Sequence, residues 1–154
     1  MTTGEPDTSR LRAPAREVLR AEVTDEPLDM NEHMDQVAAS GAGAVVTFAG
    51  VVRDHDRGCA VHSIEYVAHP TAGQVIAQVA AAVAARFDVD RVAVSHRLGV
   101  LAIGECALAV AVSAAHSREA FDAATALVKD VKRDLPVWKR QVFTDGTEEW
   151  VACP

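Results

Sequence analysis

The sequence contains no GxGxxG, no GxxxxGK[ST] and no GxSxG, which removes the usual marks of dinucleotide binding, P-loop chemistry and a serine nucleophile elbow. Cysteine is scarce. Cys59, Cys106 and Cys153 form no CxxC pair and are odd in number, so neither a disulfide framework nor a zinc site is indicated, and a reducing compartment fits. The opening stretch MTTGEPDTSR lacks the basic start and apolar run of a secretory signal. The longest stretch free of Asp, Glu, Lys and Arg, Tyr66 to Ala85, carries His69, Pro70 and Gly73, which a membrane span would not choose. A soluble, cytoplasmic protein is expected.

Net positive charge is missing too. A formal charge of -7 argues against a protein that coats nucleic acid, because such binding runs on accumulated lysine and arginine. His55, His62 and His69 are seven apart, but they span a turn, a strand and a helix entry, without carboxylates or thiolates at ligand spacing, so no metal is expected.

What is present is the composition of a folded domain: 154 residues, 49% hydrophobic and 24% charged, long enough for one real core and too short for two comfortable ones. Residues 1–14, with Gly4, Pro6 and Pro14 and no periodicity, read as a flexible tail, and residues 15–154 as a single domain. Glu17 to Val23 suits a strand, and Asp29 to Ser40 a short helix with Asp29 as its N-cap. The valine-rich run Ala44 to Val52 reads as a central strand buried on both faces. After a turn at Asp54–Gly58, Val61 to Val67 would return as the second arm of a hairpin, leaving Arg53 at the strand's mouth.

Val75, Ile76, Val79, Val83 and Phe87 recur at helical spacing through an alanine-rich segment. Arg91 to His96 and Cys106 to Ala115 read as strands joined through Gly99 and Gly104. A last helix spans about Ser117 to Asp134 and is stopped by Pro136. Val137 to Phe143, a turn at Asp145-Gly146 and Glu148 to Ala152 form a terminal hairpin. The fold class expected is α+β, with a mixed, largely antiparallel sheet and packed helices.

One segment runs against the acidic whole: Lys129 to Arg140 holds five basic residues and two acids. On the last helix Phe121, Ala124, Val128, Val131 and Leu135 make an apolar stripe, and Lys132 flanks it while Lys129 and Arg133 lie on the far side. Two readings stand. The basic residues answer the negative end of the helix dipole, with Lys132 laying its stem over apolar neighbours, or they form an anion site; position alone favours the first. The anion reading needs Lys132 and Lys139 to converge across Pro136. Two ammonium groups held close disfavour each other's charged form, the condition that lets lysine exchange protons near neutrality. His116 and Arg118 bracket Ser117, the expected N-cap of the same helix, which is either another anion site or a merely well-capped helix.

Four segments, GAVVTFAGVVRDH (Gly43 to His55), SHRLGVLAIGE (Ser95 to Glu105), AAHSREAF (Ala114 to Phe121) and VKRDLPVWK (Val131 to Lys139), together resemble the large, catalytic subunit of molybdopterin synthase, over about residues 16 to 152. The resemblance implies an α/β-hammerhead fold and a homodimer of large subunits. Each would bind a small ubiquitin-like sulfur carrier whose Gly-Gly tail ends in a thiocarboxylate, giving a heterotetramer. The implied reaction is a sulfur transfer that converts cyclic pyranopterin monophosphate to the molybdopterin dithiolene, with no cofactor and no cysteine of this chain.

By position in the motifs, Lys132 and Lys139 match the family's two lysines, Phe48 and Arg53 line its pocket, and His116 is the histidine supplied by the neighbouring subunit. Two departures stand out. Ser117 holds the place where the family has arginine, displacing Arg118 by one residue, and Gln141 replaces an acid after W-K-R/K. A non-catalytic module that keeps the fold and the partner groove is the alternative to an enzyme, and a small-molecule regulatory domain is a second.

Overall fold

Period-two alternation decides which side of the first sheet each residue serves. The computed structural model describes residues 11–152. In it β1 (Glu17–Thr24), β5 (Val89–Arg97), β7 (Cys106–Ala114) and β2 (Ala44–Val51) lie side by side in the order β1-β5-β7-β2. β1 runs parallel to β5, and the other pairs are antiparallel. Val92, Val94, Val110 and Val112 face α2 (Ala72–Arg86) and α3 (Ser117–Asp134), whose Ile76, Val83, Ala123 and Leu127 complete the main core. The intervening Ala93 and Ala111 face α1 (Met30–Val37), where Val37 packs on them. Small residues on that side let a short helix lie close to the sheet.

A second sheet is built from β3 (His55–Asp56), β4 (Cys59–Ala68), β8 (Val137–Phe143) and β9 (Glu148–Ala152), with β6 (Gly99–Ala102) paired to β4. Val52, Val61, Ile64, Leu101 and Ala107 form a small separate cluster where this sheet meets the first. The terminal hairpin, the long alanine-rich helix, α3 and the N-cap at Asp29, whose carboxylate accepts from Asn31 N and Glu32 N, all stand where the sequence put them. The α+β, hammerhead-like class holds as well.

Several local expectations do not. β2 is an edge strand rather than a central one: its residues alternate in burial, and Val45 and Val51 are about half exposed. A valine-rich run signals strand but cannot separate an edge from a centre; the strands enclosed on both faces are β5 and β7. β2 and β4 do not form a hairpin. The chain leaves the first sheet at Val52, whose N–H donates to Glu105 O at 3.0 Å, and enters the second. Only the tip residues His55–Asp56 pair back on β4, around a left-handed Arg57 (φ 47°) and Gly58 (φ 78°). β6 was not foreseen; left-handed Gly99 and Gly104 set it between β5 and β7. α1 stops at Val37 because Ala38 is extended. The N-cap of α3 is His116, so Ser117 is its first helical residue, and no side chain caps it.

Of the tail expected over 1–14, residues 1–10 lie outside the described residues, as does Cys153; Arg12 donates to Ser40 Oγ at 3.1 Å. Among the described residues no helix is long and apolar enough to cross a membrane.

Candidate active site at the seam of the two sheets

The C-terminal turn of α3 ends where the two sheets meet, and Leu135 and Pro136 turn the chain directly into β8. Lys132 and Lys139 are thereby both carried into the lining of one cavity of about 320 Å³. The fold decides the direction that sequence left open for Lys139: Val137, Lys139 and Gln141 face inward, while Trp138 and Arg140 face out. Tyr66 lies directly across the ladder from Lys139, and its ring meets His96 edge-on at 4.9 Å. Arg53 enters from the loop after β2.

Lys132 is more exposed than the apolar stripe suggested. The buried face of α3 is Ala120, Ala123, Ala124, Leu127 and Val131, while Phe121 is 60% exposed, so the helix is turned and Lys132 sits about 120° from the buried centre. It lines the cavity as an exposed residue instead of lying along the core. Neither Lys132 nor Lys139 forms a salt bridge among the described residues, although the Lys139 charge is near enough to Asp56 to favour its carboxylate.

The remaining polar groups form a connected set. Gln141, 2% exposed, donates from Nε2 to Asp56 Oδ2 at 2.8 Å, and Arg53 Nη2 donates to Asp56 Oδ1 at 3.3 Å. The Gln141 hydrogen bond, helped by the nearby charges of Arg57 and Lys139 and by Arg53, holds the Asp56 carboxyl below its ordinary range. His96 Nδ1 donates to Arg97 O at 2.8 Å, which leaves Nε2 as the ring's acceptor, and burial lowers its pKa. The cavity thus combines cationic side chains with one carboxylate, two imidazoles and an aromatic wall, and it suits a flat, anionic small molecule.

A family profile described as "MoaE protein" matches residues 23–134. The chain belongs to the MoaE family. Among curated members of molybdopterin synthesis, it is 35% identical to the molybdopterin synthase catalytic subunit of Bacillus subtilis, over 86% of this chain and 84% of that one. It is 36% identical to molybdopterin synthase catalytic subunit 1 of Mycobacterium tuberculosis, over 84% and 88%. Its fold matches the crystal structure of molybdopterin synthase from Staphylococcus aureus with a TM-score of 0.80 at 28% identity, covering 86% of this chain and 96% of that one.

Within this MoaE chain the expected site residues divide into two groups. Lys132, Lys139 and Arg53 line the cavity together. Phe48 stands behind it, packed on the main core on the same face of β2 as Gly50, which does line the cavity; a Cβ on Gly50 would come within 3.4 Å of the Phe48 ring. His116 and Arg118 are exposed at the opposite end of the 18-residue α3, about 20 Å from Lys132 at 1.5 Å per residue. They do not reach their own chain's cavity.

Three lining residues carried no role in the sequence reading. Asp56 was taken only as a turn residue, Tyr66 passed without remark inside a strand, and His96 lay in a quoted motif without an assignment. The one available signal was Gln141, an amide where the family places an acid.

Proposed function

We propose that this chain is the catalytic subunit of a molybdopterin synthase, a sulfurtransferase that moves sulfur from the thiocarboxylated C-terminus of a small ubiquitin-like partner onto cyclic pyranopterin monophosphate. The observation that carries the reading is the convergence of Arg53, Lys132 and Lys139 on one cavity, in a family whose relatives bear that name. Arg53, with its planar, permanent charge, suits the substrate phosphate. Lys132 assists proton transfer as the thiocarboxylate attacks a side-chain carbon of the pyranopterin, and Lys139 stabilises charge as the cyclic phosphate opens. We take residues 15–154 as one domain working in the cytoplasm, without a cofactor.

The homodimer gives His116 a place. β2 pairs only with β7 among the described residues, and its Val45 and Val51 are exposed, as are Met34 and Phe121 on the helices that pack against it. Two such edges meeting antiparallel about a two-fold axis would lay the start of one β2 beside the end of the other. The neighbour's His116, next to the start of β2, would then approach this chain's Arg53. Arg118, two residues after His116 and in the first turn of the helix, joins the substrate-binding set on the same terms.

A non-catalytic module would have no need for three cations lining one cavity, so the enzyme reading is preferred. The test supplies thiocarboxylated partner and precursor and follows molybdopterin formation. Turnover by the wild type that is lost in Lys132→Ala supports the assignment; normal turnover by that variant overturns it, and a wild type that binds partner without forming product returns the non-catalytic alternative.

A further inference from the structure

Asp56 is the only carboxylate among the residues lining the cavity, where it faces Arg53, Lys132 and Lys139. An acid there weakens anion binding by charge alone, so its presence calls for a reason. Its surroundings supply one. The carboxylate is held at one oxygen by an amide that is itself almost fully buried, Gln141 Nε2 at 2.8 Å, and its other oxygen takes the Arg53 guanidinium at 3.3 Å. Gln141 sits on β8, two residues after Lys139 on the same inward face, so one strand fixes both the lysine and the group that fixes Asp56. Arg53 otherwise projects from a loop and is largely exposed; a long side chain in that position loses its binding geometry unless something holds it.

We propose that Asp56, clasped by Gln141, is the positioning carboxylate of this site: it aims the Arg53 guanidinium and balances Lys139, so that the cations meet the substrate's phosphate pre-arranged. Gln141 stands where the resemblance places an acid, and in this chain the carboxylate of the pair comes from Asp56 at the β3–β4 tip. The inference rests on the cavity being the reaction site. Because an ion pair with one exposed partner contributes little to folding, the effect belongs in kinetics and binding and not in the melting temperature.

The test compares wild type, Asp56→Asn, and the exchange variant Asp56→Asn with Gln141→Glu, which returns a carboxylate to the pair from the opposite strand. Asp56→Asn should lower kcat/KM about tenfold at an unchanged melting temperature, and the exchange should recover most of it. Unaltered kinetics in Asp56→Asn, or an exchange variant that folds yet recovers nothing, overturns the proposal. A second measurement needs no turnover: inorganic phosphate is titrated calorimetrically into wild type, Asp56→Asn, Arg53→Gln and the double variant. Non-additivity of about threefold or more supports the coupling, and additive effects, or no phosphate binding by the wild type, overturn it. If the wild type makes no molybdopterin but the phosphate cycle is non-additive, Asp56 keeps its role and only the reading of the reaction falls.

Discussion

The two sheets bury their apolar residues on very different scales. The first is closed on one face by α2 and α3 and on the other by α1, and its central strands β5 and β7 are almost wholly enclosed. The second rests on five buried residues and shows an outer face with Trp138, Trp150, Val67 and Val100 exposed. Lys132 comes from a helix anchored on the first sheet, while Lys139, Asp56, Gln141 and Tyr66 come from the second. Buried apolar packing is concentrated in one layer and the proposed reaction site lies at its border with the other, so the two should be separable by mutation.

The largest effect expected is on Lys132. Lys132→Ala should reduce kcat/KM by at least about a hundredfold, the lower range for losing a proton-transfer group, with the melting temperature unchanged because the side chain is exposed. A matching fall in stability would show that the lysine serves the fold and would break the separation.

Leu127 and Leu101 sharpen the comparison from the other side, since both are fully buried, one in each core. Leu127→Ala should cost about 3 kcal/mol in denaturant unfolding and leave KM unchanged in the protein that remains folded. Leu101→Ala should cost less, because its small cluster can collapse further, yet should raise KM by shifting Ile64 and the cavity wall. Equal costs with no kinetic difference would mean that the sheets act as one core.

Much of the first layer was legible in the sequence because its elements are long and periodic: α2 and α3 repeat apolar residues at helical spacing, and Pro136 marks where α3 has ended. The second layer was less so. β3 has two residues and β6 four, too short for any period, and their pairing depends on Arg57, Gly58, Gly99 and Gly104 adopting left-handed backbone. The site followed the same division. Lys132 and Lys139 could be named from the helix and the family motif, whereas Asp56 sat in what read as a turn, and its contact with Gln141, 85 residues away in sequence, has no local trace. The stripe on α3 misled for another reason: Phe121 is apolar but 60% exposed, so apolar did not mean core.

A smaller effect follows from His96, at the seam itself. Its folded pKa lies below the ordinary 6.5 because burial disfavours the imidazolium. The unfolded chain therefore binds the proton first as pH falls through 6.5, and stability is lost from there down to the folded pKa. The carboxylates held low, including Asp56 and Glu105, begin to cost stability only as pH falls through their ordinary values of 3.8 and 4.5. Melting temperatures taken from pH 7.5 to 5 should thus fall in the wild type and fall less in His96→Gln. An unchanged slope in the variant would place the acid sensitivity elsewhere and remove the seam's role in it.

The smallest effect tests how the first layer is tied off. Arg16, left-handed at φ 54°, sends its guanidinium across the C-terminus of α2, where Nη1 donates to Ala84 O and Ala85 O at 3.0 Å and to Phe87 O at 2.6 Å, while Nη2 meets Asp88 at 2.6 Å. Those carbonyls have no partner within the helix, and a cation at that end also opposes the dipole. Because the pair with Asp88 is exposed, most of the benefit belongs to the carbonyl bonds. Arg16→Ala should therefore cost about 1 kcal/mol of stability and Asp88→Ala far less, with sulfur-transfer kinetics unchanged in both. If Arg16→Ala altered kcat instead, the layer assigned to stability would be coupled to the seam through α2, and the division between the two sheets would have to be given up.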